Sequence, residues 1–589
     1  MSSLRCSSSL LVHRRRCVFN PRRTCSTVAS LIERELLKLQ SKAMKGDADD
    51  ANDVLTNSSQ VESRKETICE GKGKVVYNSG QVFYNKAQAF NRDLSVLVLN
   101  YFVSTCLNEM EQDKKLQNSR ALSYKRVIDD KQKTCKYAQM RLDSSTWKNP
   151  VDHFSVFEAF SATGLRAIRY ATEVPHLFPI IANDMDQASY ETIQQSLLLN
   201  ENVQGKVFAN LGEATDVMYK HRFGASQWDI IDLDPYGTAA PFVDSAMQSI
   251  KNRGLLCVTS TDMRSLAGVQ GGICFARYGS VPCTWPKAYR NEVGLRILLS
   301  FLQQTASRYG KYVEPLLAIF VDFYVRVFVR VYESGLQSQR SIQHQAYVYA
   351  CNSCPSFFLQ PLGAIRNFGE ANEKVVCAKG PPVEGACPYC HSELSLYGPI
   401  YTGAIFQQNV VEKLLHQLEN DSKWSYLPCK ERLKGFLTVL CHECADIPLF
   451  VDCNDMSKLL RTSPPPQASI REVLRKRGYR VSTSHLRPTA LKTDAPFELI
   501  WDIMRIWVQK NGLNNIKPHD AASRIMATEP FHISPEEIDF QIHKDAFNSC
   551  HSVTRYPPLE KHHGPGKRAT GKRKMDPNKL PGQDLEDEL

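Results

Sequence analysis

The sequence predicts an α/β fold built on a largely parallel sheet, joined to a second part of α+β character, and three observations carry that expectation. From about Gly71 to Tyr332, apolar runs of strand length alternate with segments of helical periodicity. The strand candidates end in polar or acidic residues, as they do where a parallel sheet offers a ligand-binding edge. Beyond residue 340 the alternation stops, and cysteine pairs, proline and glycine dominate to about residue 400 before helical patterns return.

Taken in order, FSVFEAF (154–160) is the first strand candidate of the alternating region. After a turn of small residues, LRAIRYATEV sets Leu165, Ile168 and Ala171 on one helical face. PIIAND is the next strand and DQASYETIQQSLLLN the next helix. KVFAN, WDIIDLD and GLLCVTSTD continue the set, with the helix PFVDSAMQSI between the last two. A long helix from Glu292 to about Arg308 precedes PLLAIFVDF and YVRVFVRVY, which suit a closing pair of strands. In the second part, VVEKLLHQL and ELIWDIMRIWV are helical. The expected organisation is a leader (1–43), a polar linker (44–66), the alternating domain (67–334), a second domain (335–555) and a charged tail (556–589), in which KRATGKRK is followed by LEDEL.

At 589 residues the chain exceeds what one core usually organises. Its 42% apolar and 23% charged residues are ordinary for a soluble protein, and no run of about 18 apolar residues exists to cross a bilayer, so no membrane role is expected. A formal charge of +11 suits a polyanionic partner. The 19 cysteines are scattered through apolar stretches, which points to reduced thiols inside a cell. The first 32 residues contain no acid, are rich in serine and carry Arg5, Arg14, Arg15, Arg16, Arg22 and Arg23. That is the composition of an organelle transit peptide, mitochondrial or plastid, with a basic RNA-touching arm as the alternative. Met44 offers an internal start that yields a form for the nucleus or cytosol.

The strand ends carry the chemistry. The first leads into Glu158-Ala-Phe-Ser-Ala-Thr-Gly164, whose small residues let backbone approach a ligand; with one glycine it lacks the set that seats a dinucleotide pyrophosphate. The second ends in Asn183-Asp184, where an acid can accept hydrogen bonds from ribose hydroxyls, and the third near Glu213-Ala214, where an acceptor can meet an adenine amino group. Together these favour a nucleoside site. The fourth ends in Asp234-Pro235-Tyr236-Gly237. A conjugated base amine is a poor nucleophile, and an Asp-Pro pair gives it a carboxylate and a fixed carbonyl, both acceptors, facing one point. Tyr236 offers a face on which an extruded base can stack.

At these residues the chain resembles the tRNA (guanine-N2)-dimethyltransferases, which methylate guanosine 26 of tRNA. IDLDPYG, FEAFSATGLRAIR and VFYNKAQAFNRDLS carry the resemblance, which continues through NEVGLRIL, DFYVRVFVRV, DIPLF and SHLRPTALKTDAP and covers about residues 68 to 505. It implies a Rossmann-like class I methyltransferase sheet, S-adenosyl-L-methionine as cofactor and tRNA as partner; a monomer is expected. It also places Arg92 and Arg166 at the cofactor, Asp184 at the ribose, Glu213 and Ala214 beside the adenine, and Asp234 as the catalytic acceptor. Phe83 and Tyr236 are implied to clamp the flipped guanine. The family usually shows Asp-Ala where this chain has Glu213-Ala214. Methylation of another exocyclic amine, such as adenine N6, and a noncatalytic zinc-containing RNA-binding protein are the alternatives.

Cys351-x-x-Cys354 and Cys387-x-x-Cys390 are two knuckles whose spacing lets both thiolates of each pair reach one Zn2+; four thiolates with no open position make a structural site. Cys441-His442-Glu443-Cys444 has no second pair and reads as helix with incidental thiols. Arg471, Arg475, Lys476, Arg477 and Arg480, followed by His485, Arg487 and Lys492, are expected to form a basic face for RNA phosphates.

Overall fold

The computed structural model describes residues 65–78, 82, 84–113, 153–367, 373–512 and 517–540. The leader, most of the linker, Phe83 and the charged tail lie outside them. An antiparallel hairpin, β1 (Lys65–Glu70) and β2 (Gly73–Asn78), leads into the 24-residue helix α1 (Ala89–Gln112). The central sheet follows: β3 (Phe154–Glu158), β4 (Leu177–Asp184), β5 (Val207–Leu211), β6 (Trp228–Leu233), β7 (Ile250–Ser260), β8 (Lys311–Val321) and β9 (Tyr324–Glu333). Its strand order is β5-β4-β3-β6-β7-β9-β8. The first five strands run parallel, and β9 joins β7 antiparallel. The expected α/β sheet, with its closing pair of strands, is the sheet observed.

Every residue of β3 and β6 is buried, which is why neither strand shows the strict apolar–polar alternation of a half-buried one. Helices α2 (Leu165–Glu173), α3 (Gln187–Leu198), α4 (Ala214–Lys220) and α5 (Ala240–Ser249) connect the parallel strands, and α6 (Arg290–Ser307) precedes β8. The chain order reverses between β3 and β6, the switch point at which such sheets open a crevice beyond their carboxyl ends. Register brings the acids to that edge: Glu158 pairs with Ala182 and Asp232 on its two neighbours, and Asp184 with Leu211.

Beyond β9, strands β10 (Gln345–Cys351), β11 (Phe357–Pro361) and β14 (Leu394–Tyr401) form a three-stranded sheet with β10 in the middle, while β12 (Gly363–Asn367) and β13 (Glu373–Cys377) form a separate hairpin. Helices α7 (Gln408–Asn420) and α8 (Lys430–Cys441) follow, then β15 (Val451–Asp452), α9 (Gln467–Lys476), β16 (Val481–Ser484), β17 (Arg487–Thr493) and α10 (Phe497–Asn511). This part shares an interior with the first. One apolar cluster runs from Val75 to Ala490, Phe90 of α1 meets Phe436 of α8 edge-on at 5.5 Å, and the Cys429 amide donates to Asp93 at 2.7 Å. Among the described residues, no helix is long and apolar enough to cross a membrane.

Candidate active site and metal centre

Each strand end is locked to the next by side chains that reach across the edge. The Asn183 amide donates to Ala159 O and Gly212 O, both at 3.0 Å, and so ties the loops after β3 and β5 to the end of β4. Asp184 accepts from the amides of Ala162 (2.9 Å) and Asp186 (3.0 Å), and burial raises its carboxyl above the usual range. The turn it holds places Ala162 (φ 47°) and Gly164 (φ 79°) in the left-handed region. Glycine adopts that conformation without penalty, and a Cβ at Gly164 would stand 3.3 Å from Ile193. Glu213 caps α4 by accepting from Asp216 N at 2.8 Å, and Ala214 is buried in that helix's first turn.

Glu158 and Asp234 flank the switch point, with Arg166 between them. From the second position of α2, Arg166 pairs with Asp234 Oδ2 and lies 3.7 Å from Glu158 and 3.6 Å from Asp232. Its Nη1 also donates to Ser95 Oγ at 3.2 Å. Burial, working against the pull of Arg166, lifts the Glu158 carboxyl to about 7, and Ser161 Oγ donates to it at 2.6 Å. Asp232 behaves oppositely. Burial alone would raise it, but Arg326, which binds both its oxygens at 2.7 and 2.9 Å, together with Arg166 and the Tyr170 hydroxyl at 2.6 Å, holds it at about 2. Asn91 Nδ2 stands 3.5 Å from Asp234 Oδ2 and 3.4 Å from Thr259 Oγ1.

Both contacts to Asp234 therefore fall on Oδ2, and no described protein group engages Oδ1, while the side chain stays one-fifth exposed. Pro235 is buried, and Tyr236 projects outward with 72% of its surface exposed. Gly237 closes the turn with φ 78°, its amide donating to Thr261 Oγ1 at 3.0 Å and its carbonyl accepting from Thr261 N at 2.9 Å. The arrangement presents a fixed carboxylate oxygen and an aromatic face to a planar group entering from solvent.

Residues 59–505 match the family model described as N2,N2-dimethylguanosine tRNA methyltransferase. The chain belongs to this family. It is 38% identical over 419 residues to tRNA (guanine(26)-N(2))-dimethyltransferase 2 of Arabidopsis thaliana, covering 70% of this chain and 69% of that protein. It is 34% identical to the mitochondrial tRNA (guanine(26)-N(2))-dimethyltransferase of Saccharomyces cerevisiae, covering 80% and 82%. Among solved structures it is similar to Trm1 from Pyrococcus horikoshii with S-adenosyl-L-methionine, at 26% identity and a TM-score of 0.55, over 74% of this chain and 98% of that one.

Within this dimethylguanosine methyltransferase fold, Glu158, Arg166, Asp184, Glu213, Ala214 and Asp234 stand along one sheet edge. Arg92 is paired with an acid of β1: its guanidinium donates to both oxygens of Glu70, at 2.6 and 2.5 Å, and to Asn85 O at 3.1 Å. Phe83 lies outside the described residues. Sequence reading missed Asn91, Asp232, Arg326 and Glu70. Asn91 and Asp232 each lay inside a quoted segment, one residue before Arg92 and two before Asp234, and periodicity gives no sign that a strand-interior acid is paired rather than mispredicted.

The four knuckle thiols converge. Their sulfurs lie within 4.8 Å of one another, with Cys351 to Cys390 at 3.3 Å and Cys354 to Cys387 at 3.6 Å, and all four residues are fully buried. The amides of Ser353 and Cys354 point at Cys351 Sγ at 3.4 Å, and Trp501, Met504 and Ile525 pack around the cluster. Tetrahedral zinc with about 2.3 Å bonds to sulfur needs sulfurs about 3.8 Å apart, so this set fits. Cys441 and Cys444 belong to no such cluster among the described residues.

The expected basic face needs correction. Lys492 is fully buried, donating to Glu443 at 2.9 Å and lying 3.2 Å from Glu292. His485 is 5% exposed; its Nδ1 lies 2.8 Å from Glu443, and its Nε2 accepts from Phe320 N at 3.3 Å. Arg471 is 3% exposed, on the inner side of α9. The Lys492 charge is matched by interior acids, and His485 and Arg471 are buried, which a linear reading of cation density cannot distinguish from a surface. Arg475, Lys476, Arg477 and Arg480 do form an exposed group at the end of α9, where Arg477 pairs with Glu537 and Arg480 with Asp446 and Asp494. Arg487 is half-buried against Asp452.

Proposed function

We infer that the protein transfers methyl groups from S-adenosyl-L-methionine to the exocyclic N2 of guanosine 26 in tRNA, as the names of its relatives state for them. The observation that carries this reading is Asp234: a partly exposed carboxylate at the tip of β6, anchored through Oδ2, with no described protein group on Oδ1 and an exposed tyrosine two residues on.

S-adenosyl-L-methionine, when bound, supplies the electrophilic methyl. The acceptor set at the strand ends fits it, since Asp184 and Glu213 suit ribose hydroxyls and an adenine amine, and the small-residue turn from Ser161 to Gly164 leaves room for close backbone approach. Asp234 Oδ1 accepts a hydrogen bond from the guanine N2 amine, aligns its lone pair and takes the proton released on methylation. Arg166 and Asn91 fix the carboxylate, and the Arg326–Asp232 pair fixes Arg166 in turn. Tyr236, with Phe83, stacks on the extruded guanine, an interaction worth roughly 1 to 3 kcal/mol per base. Arg92, which is paired with Glu70, would be the residue to meet the methionine carboxylate of the bound cofactor.

The four thiolates hold one zinc ion in a closed, structural site, supported by their convergence and burial. Arg475, Lys476, Arg477 and Arg480 contact tRNA phosphates, and the residues from 335 to 555 supply that surface. The arginine-rich first 43 residues direct the chain to an organelle, a reading supported by their lack of acid up to Glu33 and by a mitochondrial relative. Fused to a reporter, they are expected to give an organellar signal; a diffuse cytosolic one refutes the leader.

The decisive experiment incubates purified protein with labelled methyl donor and unmodified tRNA and identifies the labelled nucleoside. Label in N2-methylated guanosine is expected. Label in adenosine redirects the reading to another base amine, and no label refutes the enzyme.

A further inference from the structure

The segment that follows β7 presents a surface used by neither Asp234 nor the cysteine centre. On its helix Gly271–Tyr278, Cys274 and Tyr278 face inward and are buried, while Ile273 (41%) and Phe275 (63%) stay exposed. Val269 in the preceding turn (72%) and Trp285 after the helix (43%) are exposed as well. A scattered surface leucine is unremarkable, but an aromatic and aliphatic group gathered within one short segment marks an interaction site.

Two features say what covers it. The first is continuity with the catalytic turn. The Tyr278 hydroxyl lies 2.7 Å from Thr238 Oγ1 and 3.3 Å from Ser260 Oγ, and Thr261 is bonded in both directions to Gly237. These bonds tie the helix that carries Phe275 to the chain immediately after the exposed Tyr236. The second is charge. From Thr261 to Asn291 the chain has one acid, Asp262, against Arg264, Arg277, Lys287 and Arg290, and Asp262 is itself paired to Arg277 at 2.6 Å. Exposed apolar and aromatic side chains interleaved with unopposed cations match unstacked RNA, whose bases offer flat apolar faces and whose backbone offers phosphates.

We propose that residues 264–287 form a platform for the tRNA nucleotides flanking the target guanosine, with Phe275 stacking on one neighbouring base and Arg264 and Lys287 meeting phosphates. The proposal rests on the reading of the chain as a tRNA guanosine methyltransferase. It explains how a base is kept out of the helix: the neighbours that lose their stacking partner gain a new one on the protein.

Direct binding of labelled, unmodified tRNA by fluorescence anisotropy tests this independently of turnover. Phe275→Ala is expected to weaken tRNA binding about tenfold, within the range for one base on an aromatic side chain, and Phe275→Trp to restore it. Both variants should keep the wild-type melting temperature and S-adenosyl-L-methionine affinity, because Phe275 is largely exposed. A 2-aminopurine placed beside the target guanosine should be quenched by wild type and Phe275→Trp, and not by Phe275→Ala. Equal tRNA affinity of wild type and Phe275→Ala, or a loss that tryptophan does not repair, overturns the platform. If the wild type methylates no guanosine yet loses tRNA affinity on Phe275→Ala, the activity reading fails and with it the assignment to the target's neighbours, leaving residues 264–287 as an RNA-binding surface only.

Discussion

Replacing Lys492 by methionine separates an interior role from an RNA contact. The ammonium is fully buried and bridges two buried carboxylates, 2.9 Å from Glu443 and 3.2 Å from Glu292. Burial alone would raise the Glu443 carboxyl, yet Lys492, together with His485, holds it well below the usual range. Removing one partner of a buried ion pair costs about 3 to 5 kcal/mol, because the other charge stays in the interior. Glu443 keeps the Ser484 hydroxyl at 3.0 Å and the His485 amide at 2.7 Å, and Glu292 keeps Arg296 and the Leu449 amide, both at 2.9 Å. Those remaining donors place the loss at the lower end, about 3 kcal/mol, or roughly a hundredfold in the folding equilibrium. Urea unfolding followed by fluorescence of the buried Trp228, Trp424 and Trp501 should therefore show an earlier midpoint. Under conditions where Lys492→Met is folded, its KM for tRNA should match wild type. An unchanged urea midpoint with a raised tRNA KM would refute the interior assignment and return Lys492 to the RNA surface.

Three further outcomes are expected. Asp234→Asn keeps the shape of the side chain and removes its basicity, so methylation should fall about 10²- to 10⁴-fold with cofactor affinity nearly unchanged; full turnover in a single-turnover assay contradicts the assigned role. Cys354→Ser should abolish the metal found by elemental analysis of the wild-type protein and lower its melting temperature, and a wild-type protein purified without metal defeats the zinc reading. Glu158 sits at about 7, raised by burial from an ordinary value of 4.5. Its contribution to stability is complete below about pH 4.5 and is lost as pH rises through about 7, on the order of 3 kcal/mol at roughly 1.4 kcal/mol per pH unit. Glu158→Gln should flatten the pH dependence of the urea midpoint across that window, and parallel curves for the two proteins disprove it.

The fold was legible because burial on both faces of β3 and β6 leaves short, mainly apolar segments, and the crossover helices between the strands keep their own period. The strand-end acids were legible for a related reason: a carboxylate that follows such a run has only the sheet edge to occupy. The cysteine pairs were legible through spacing alone. The side chains that orient the site were not. Asp232 lies within a strand, Asn91 and Glu70 come from elements more than a hundred residues away from Asp234 in sequence, and only the folded chain brings them to Arg166 and Arg92. The basic cluster near residue 480 misled because Glu443, which neutralises Lys492 and meets His485 Nδ1, stands about 40 to 50 residues upstream in a segment read for its cysteines.

The interior shared by the two parts of the chain bears on how the enzyme could be shortened. A fragment ending near residue 334 would strip Asp93 of the Cys429 amide, Glu292 of Lys492 and Phe90 of Phe436, uncovering the flank of α1 that also carries Asn91. Truncation there should yield an aggregating remnant rather than a minimal catalyst, so early stop codons in the latter half are expected to abolish the protein and not merely its grip on RNA.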